Sequence, residues 1–145
     1  MKTIRHVARA VGSTGSTIPP FRVDIRFARH RFVADEPTAE GGGDLGPTPF
    51  GLVMSGLAAC TVTTLRMYAE RKGWELTSIE ADVRYDVADD GRSAIERTIT
   101  VPADLPTEQR QRLAEVAERT PVTLAIKDGT PITTTFRSGS TRRTE

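Results

Sequence analysis

The run Pro47-Thr48-Pro49-Phe50-Gly51-Leu52-Val53-Met54-Ser55-Gly56-Leu57-Ala58-Ala59-Cys60-Thr61-Val62-Thr63-Thr64-Leu65 decides the fold. It carries no charge, and continued to Arg71-Lys72-Gly73 it has both ends of a helix. Proline is tolerated in a first helical turn because its missing N–H would have no partner there. At the other end Arg66, Arg71 and Lys72 suit the helix dipole, and Gly73 can take the left-handed capping conformation. The pattern predicts one helix from Pro49 to Lys72 with Cys60 near its middle. Leu45 to Leu65 also matches a bilayer span in length. Its prolines, its glycines and the hydroxyls of Thr48, Ser55, Thr61, Thr63 and Thr64 favour a helix buried on all sides within a domain.

Upstream, Thr3 to Val11 reads as a strand, and the loop from Gly12 to Pro20 as a connector. Phe21-Arg22-Val23-Asp24-Ile25-Arg26-Phe27 alternates apolar and charged at period two, the mark of a strand with one wet face. Ala28 to Arg31 forms a tight connection into Arg31 to Ala34, an antiparallel hairpin whose turn displays Arg29 and His30. Glu36-Pro37 ends regular structure, and the glycine-rich loop Gly41 to Gly46 leads into the helix.

Downstream, Ile79, Ala81, Val83, Tyr85 and Val87 alternate with charged residues. Ala88-Asp89-Asp90-Gly91 then turns the chain into Ile95, Arg97, Ile99 and Val101. Thr107 is placed as N-cap of an amphipathic helix to Arg119, and Thr120 as N-cap of a short helix with Pro121 at N1. Ile132-Thr133-Thr134-Thr135-Phe136 reads as a last strand, and residues 137–145 as a polar tail. The expected class is α+β with mostly antiparallel pairing around one long helix, in a single domain spanning residues 1–145.

Composition narrows the chemistry. The 145 residues hold 20 Lys+Arg against 19 Asp+Glu, so a net charge of +1 offers no basic clamp for nucleic acid. One cysteine, Cys60, excludes an intramolecular disulfide and any multi-cysteine metal site, and His6 and His30 lack ligand spacing. No metal and no cofactor are expected. The N-terminal Met1-Lys2-Thr3-Ile4-Arg5-His6 meets charge before any apolar signal core forms, which points to a cytoplasmic location without membrane attachment.

Gly41-Gly42-Gly43-Asp44-Leu45-Gly46 satisfies a GxGxxG spacing before a helix. The dinucleotide reading fails on context, because the helix leads into an antiparallel hairpin and the acidic residue expected further on falls inside the helix. The simpler reading is a loop that lets the helix start close to the sheet. A lone cysteine on an apolar helix is more often core than nucleophile, and its reactivity requires a cation brought from elsewhere. The densest cationic spot in the sequence is Arg29-His30-Arg31.

Taken together, His30-Arg31-Phe32-Val33-Ala34-Asp35-Glu36-Pro37, Gly42-Gly43-Asp44-Leu45-Gly46-Pro47-Thr48-Pro49 and Gly56-Leu57-Ala58-Ala59-Cys60-Thr61, continuing through Thr64 to Ala69, resemble the OsmC/Ohr family of osmotically induced and organic-hydroperoxide-resistance proteins. The similarity extends from about Phe21 to Phe136. It implies an intertwined homodimer with antiparallel sheets wrapped around the long helix. It also implies a thiol peroxidase chemistry in which a helix cysteine attacks an organic hydroperoxide and condenses with a resolving cysteine.

The resemblance puts Cys60 at the peroxidatic position and Thr120, before Pro121, at the resolving one. Arg29 is the counterpart of the family's arginine, with Arg31 the alternative, and His30 and Phe50 are substrate-binding candidates. Phe50 and Gly51 stand where the family carries a carboxylate. Two functions follow. Either Cys60 reduces a small apolar hydroperoxide and is recycled by an external thiol, or the protein binds a small apolar ligand without turnover.

Overall fold

The computed structural model describes residues 5–12 and 17–139. The Thr3–Ile4 end of the first expected strand, residues 13–16 of the connector and residues 140–145 of the tail lie outside them. The order is β1 (Ala8–Gly12), β2 (Val23–Phe27), β3 (His30–Ala34), a 3-10 turn (Thr38–Glu40), α1 (Pro49–Lys72), β4 (Glu80–Val87), β5 (Ser93–Thr100), α2 (Thr107–Ala117) and α3 (Pro121–Asp128). β1, β2 and β3 form one antiparallel sheet in that order, and β4 pairs antiparallel with β5 in a second.

α1 has the ends its sequence dictates. Thr48 Oγ1 accepts the Gly51 N–H at 3.0 Å, Pro49 occupies the first turn, and Gly73 at φ 66° closes the C-terminus. One stripe of α1 is buried, Leu57, Thr61, Leu65 and Ala69, at the four-residue spacing that repeats on one helix face. This stripe packs on β4, α2 and α3. Leu65 joins Leu105, Leu113 and Ala117 in the core, with Trp74, Ile79 and Ile99 around them. Within one chain the helix is therefore not buried on all sides as expected: Val53 and Met67 face outward. By length and composition α1 is also long and apolar enough to cross a membrane.

The loop before α1 is organised by Asp35, which the sequence reading passed over. Its carboxylate is buried and accepts backbone N–H groups from Glu36 at 2.8 Å, Gly43 at 3.1 Å and Leu45 at 3.3 Å. The glycines serve close backbone approach. A Cβ at Gly42 would lie 2.0 Å from Glu36 O, and one at Gly46 2.0 Å from Val33 O. The GxGxxG spacing is thus explained by chain packing against β3 and its exit, as the simpler reading held.

Five further expectations are corrected. The first strand begins at Ala8, with residues 5–7 outside the ladder. The β2–β3 turn is Ala28-Arg29, with Ala28 at φ 51°, and His30 already pairs with Phe27 in the ladder. α2 ends at Ala117 rather than Arg119, and its N-cap is Pro106, with Thr107 inside the helix. Thr120 is the N-cap of α3 by position but makes no side-chain capping bond. Ile132–Phe136 forms no strand, with Ile132 88% and Phe136 99% exposed. Its alternating threonines suit a strand, but a strand exists only against a neighbour's open edge, and the described chain brings none to it.

Candidate functional site

The centre of the site is a residue whose strand phase is unusual. On β4 and β5 the pairs Ala81–Ile99, Val83–Arg97 and Tyr85–Ile95 share one face, while Arg84–Glu96 and Asp82–Thr98 share the other. Side chains alternate across a strand, so Arg97 is carried to the inner face with the apolar residues. Its side chain is 11% exposed. A guanidinium placed there must find acceptors for its fixed fork of N–H groups.

It finds them on three helices. Nη1 donates to Thr61 Oγ1 on α1 at 3.0 Å and to Thr123 Oγ1 on α3 at 2.8 Å. Nη2 donates to the Ala117 carbonyl at the end of α2 at 2.9 Å and reaches Glu118 Oε1 at 3.5 Å. Thr61 Oγ1 donates in turn to the Leu57 carbonyl at 2.7 Å. Thr120 and Thr123 share a hydroxyl–hydroxyl hydrogen bond of 2.6 Å, and both residues are buried. Glu118 also pairs with Lys127. The Lys127 hydrogen bond holds the Glu118 carboxyl below its ordinary pKa; burial, the next influence in size, opposes it, and the charges of Lys127 and Arg97 add to the lowering.

Beside this cluster opens a groove of about 630 Å³. The first half of α1 gives it Phe50, Val53, Met54 and Leu57, and the hairpin gives Tyr85, Ile95 and Arg97. Phe50 and Tyr85 stack with ring centroids 4.6 Å apart. α3 closes the other side with Thr123, Ile126 and Lys127. Cys60 is half-buried on α1, three residues beyond Leu57 and so on a neighbouring part of the same helix surface. Its Sγ lies 3.8 Å from Thr64 Oγ1, a weak thiol–hydroxyl contact.

The expected site residues are therefore divided. Cys60, Thr120 and Phe50 all lie around the first half of α1 and its junction with α3. Arg29 is exposed in the β2–β3 turn and His30 exposed at the start of β3. Arg31 pairs with Arg26 across the outer sheet, in a shallow cleft with Arg9 and Asp24. None of these three residues lines the groove. The cation beside the helix cysteine's neighbour, Thr61, is Arg97, which sequence reasoning placed in the inward phase of β5 without drawing the consequence. A charged residue in the apolar phase of an alternating strand was the available signal.

A long, proline-led helix with one half-buried thiol, two antiparallel sheets and two short helices closing the site defines a class of α+β proteins built around a central helical cysteine. The chain belongs to the OsmC-like protein family, whose sequence model matches residues 41–135. Among solved structures it is similar to the organic hydroperoxide resistance protein OhrB of Bacillus subtilis, at 26% identity and TM-score 0.60 over 87% of this chain and 93% of that one. It is also similar to an organic hydroperoxide resistance protein from Elizabethkingia anophelis, at 22% identity and TM-score 0.64 over 89% and 93%. A third likeness is to an OsmC-like protein from Mycoplasma pneumoniae, at 17% identity and TM-score 0.67 over 88% and 91%. No curated protein matches the chain.

Proposed function

We propose that the protein is a thiol-dependent organic hydroperoxide reductase in which Cys60 is the peroxidatic residue and an external thiol supplies the electrons. The observation that carries this reading is the position of Cys60, on the helix surface that continues from the apolar groove wall at Leu57. In the proposed cycle the Cys60 thiolate attacks the distal peroxide oxygen, the O–O bond breaks, and the alkoxide leaves as the alcohol after taking a proton. The sulfenic acid formed on Cys60 is attacked by a first external thiol, which releases water and leaves a mixed disulfide. A second thiol then restores Cys60 and carries away the disulfide. No cysteine in this chain can take the first thiol's part, since Thr120 occupies the resolving position and Cys60 stands alone.

Exposed Val11, Phe32, Val53, Met67, Ile132 and Phe136 leave apolar surface uncovered on the outer sheet, on α1 and along the C-terminal segment. The second part of the proposal is that a second copy covers this surface in a homodimer and brings Arg29 or Arg31 and His30 to the Cys60 of its neighbour. Sedimentation at micromolar concentration is expected to give twice the chain mass, and a monomer would refute this part.

The reading without turnover has one observation in its favour: the groove is fully lined without Cys60. Mixing the protein with cumene hydroperoxide and trapping sulfenic acid by mass separates the two. A trapped adduct that vanishes in Cys60→Ser, with hydroperoxide consumed only when a thiol is present, supports the reductase. Hydroperoxide consumption unchanged by Cys60→Ser, or none at all, overturns it.

A further inference from the structure

One face of the β1–β2–β3 sheet carries a row of like charges. The strand register sets Arg9 on β1 opposite Arg26 on β2, and Arg26 opposite Arg31 on β3, so three guanidinium groups are carried side by side across the sheet. All three residues are exposed. Facing charges of one sign weaken a sheet, yet Arg9, Arg26 and Arg31 make no salt bridge among the described residues. The next row on this face is Val11, Asp24 and Val33, and its one carboxylate is held by Arg22 at 2.9 Å. The other sheet treats its arginines differently: Arg84 pairs with Asp86 and Glu96, and Arg92 with Asp90. The three unpaired arginines, with Val11, Asp24 and Val33, line a shallow cleft of about 460 Å³.

We propose that this cleft binds a chain of linked phosphates, an inorganic polyphosphate or the triphosphate of a nucleotide, laid across the strands along Arg9, Arg26 and Arg31. Neighbouring strands lie about 4.8 Å apart, so the row spans about 10 Å with a cation at every step. Carboxylates on a docked peptide strand would fall about 7 Å apart, on alternate residues, out of step with that row. Linked phosphates instead offer oxygens along their whole length, and each planar guanidinium fork can take two of them. Three arginines fall short of the basic stripe that tracks a nucleic acid backbone. Val23, Phe27 and Ala34 alternate to the opposite face of the sheet, so a second copy packed on that face leaves the row open. Arg31 then belongs to the row, which leaves Arg29 as the cation for a partner's site. The inference does not require Cys60 to react.

The test is calorimetric titration of the purified protein with orthophosphate, tripolyphosphate and adenosine triphosphate, at low ionic strength and without divalent cations. Tripolyphosphate is expected to bind about tenfold or more tightly than orthophosphate, and added salt to weaken it. Arg26→Gln, at the exposed centre of the row, is expected to weaken tripolyphosphate about tenfold, and Arg9→Gln and Arg31→Gln several-fold each. Arg92→Gln, an exposed arginine on the other sheet's turn, is expected to bind as the parent does. Adenosine triphosphate bound more tightly than tripolyphosphate would name a nucleotide as the source of the phosphates. Equal or weaker binding would name the inorganic chain, and either result upholds the site.

No binding of tripolyphosphate, binding no tighter than that of orthophosphate, or unchanged affinity in Arg26→Gln would overturn the proposal. Equal losses in Arg26→Gln and Arg92→Gln would reduce the effect to net charge and overturn it as well. The hairpin face bearing Glu80, Asp82, Asp86 and Glu96 is acidic, so a second copy is the competing occupant. A lower sedimentation mass in Arg26→Gln, with no tripolyphosphate bound by the parent, would assign the row to that contact and also overturn the proposal. Cys60→Ser is expected to bind tripolyphosphate as the parent does, which keeps this claim apart from the reductase reading.

Discussion

Arg97 Nη1 lies 3.0 Å from Thr61 Oγ1, tying β5 to the middle of α1 across 36 positions of sequence, at the residue that follows Cys60 in the chain. The same nitrogen holds Thr123, whose hydroxyl meets that of Thr120. Where the family's implied chemistry has a second thiol, this chain has a chain of hydroxyls anchored on one nearly buried cation.

Arg97→Lys is expected to lower stability by about 2 kcal/mol, measured by urea unfolding. An ammonium cannot span Thr61, Thr123 and the Ala117 carbonyl from one position as the planar fork does, so at least one buried acceptor loses its donor. A lysine variant with the parent's midpoint would show that the fork geometry is not needed.

Thr120→Ala is expected to lower the melting temperature modestly, since it removes one buried hydroxyl–hydroxyl bond worth about 1 kcal/mol, and to leave hydroperoxide consumption unchanged. Loss of a measured activity would show that Thr120 is not a silent occupant of the resolving position. Thr120→Cys is expected to permit a disulfide between Cys60 and the introduced thiol if the two Cα atoms approach within about 7 Å, read by the loss of both thiols on mild oxidation.

Asp35→Ala is expected to cost about 3 kcal/mol, because three backbone N–H groups lose their acceptor at once. Faster proteolysis within residues 36–46 is the local readout. Gly46→Ala should be as harmful, its Cβ falling 2.0 Å from Val33 O, whereas Gly56→Ala, with nothing within 4 Å, should stabilise α1 by about 0.5 to 1 kcal/mol. Denaturation midpoints of the two glycine variants should move in opposite directions.

Glu118 gives a small acid-side effect. Its carboxyl, held below the ordinary 4.5 chiefly by Lys127, contributes stability that is fully present above that value and is lost as pH falls through the lowered folded-state pKa. Solvent screening at this exposed group keeps the contribution well under about 1 kcal/mol. The melting temperatures of the parent and Glu118→Gln should differ slightly at neutral pH and converge in acid. A difference that grows on acidification would reverse the assigned sign.

Local patterns in the sequence determined the elements whose signals are local. Thr48, Pro49 and Gly73 mark the ends of α1 because caps are satisfied within a turn. The alternation from Ile79 to Val101 determined the β4–β5 hairpin because side-chain phase is a property of one strand. Cys60 was legible as the sole thiol. Only the tertiary structure decided what Thr120, Arg97 and Asp35 do. Thr120 carries the sequence mark of a cap, but its hydroxyl is taken by Thr123, which itself is held by Arg97. Asp35 bonds amides up to ten residues away through a loop whose path no local pattern specifies. Ile132–Phe136 fails as a strand for the same reason: propensity belongs to the segment, whereas pairing requires an edge that the rest of the fold must present.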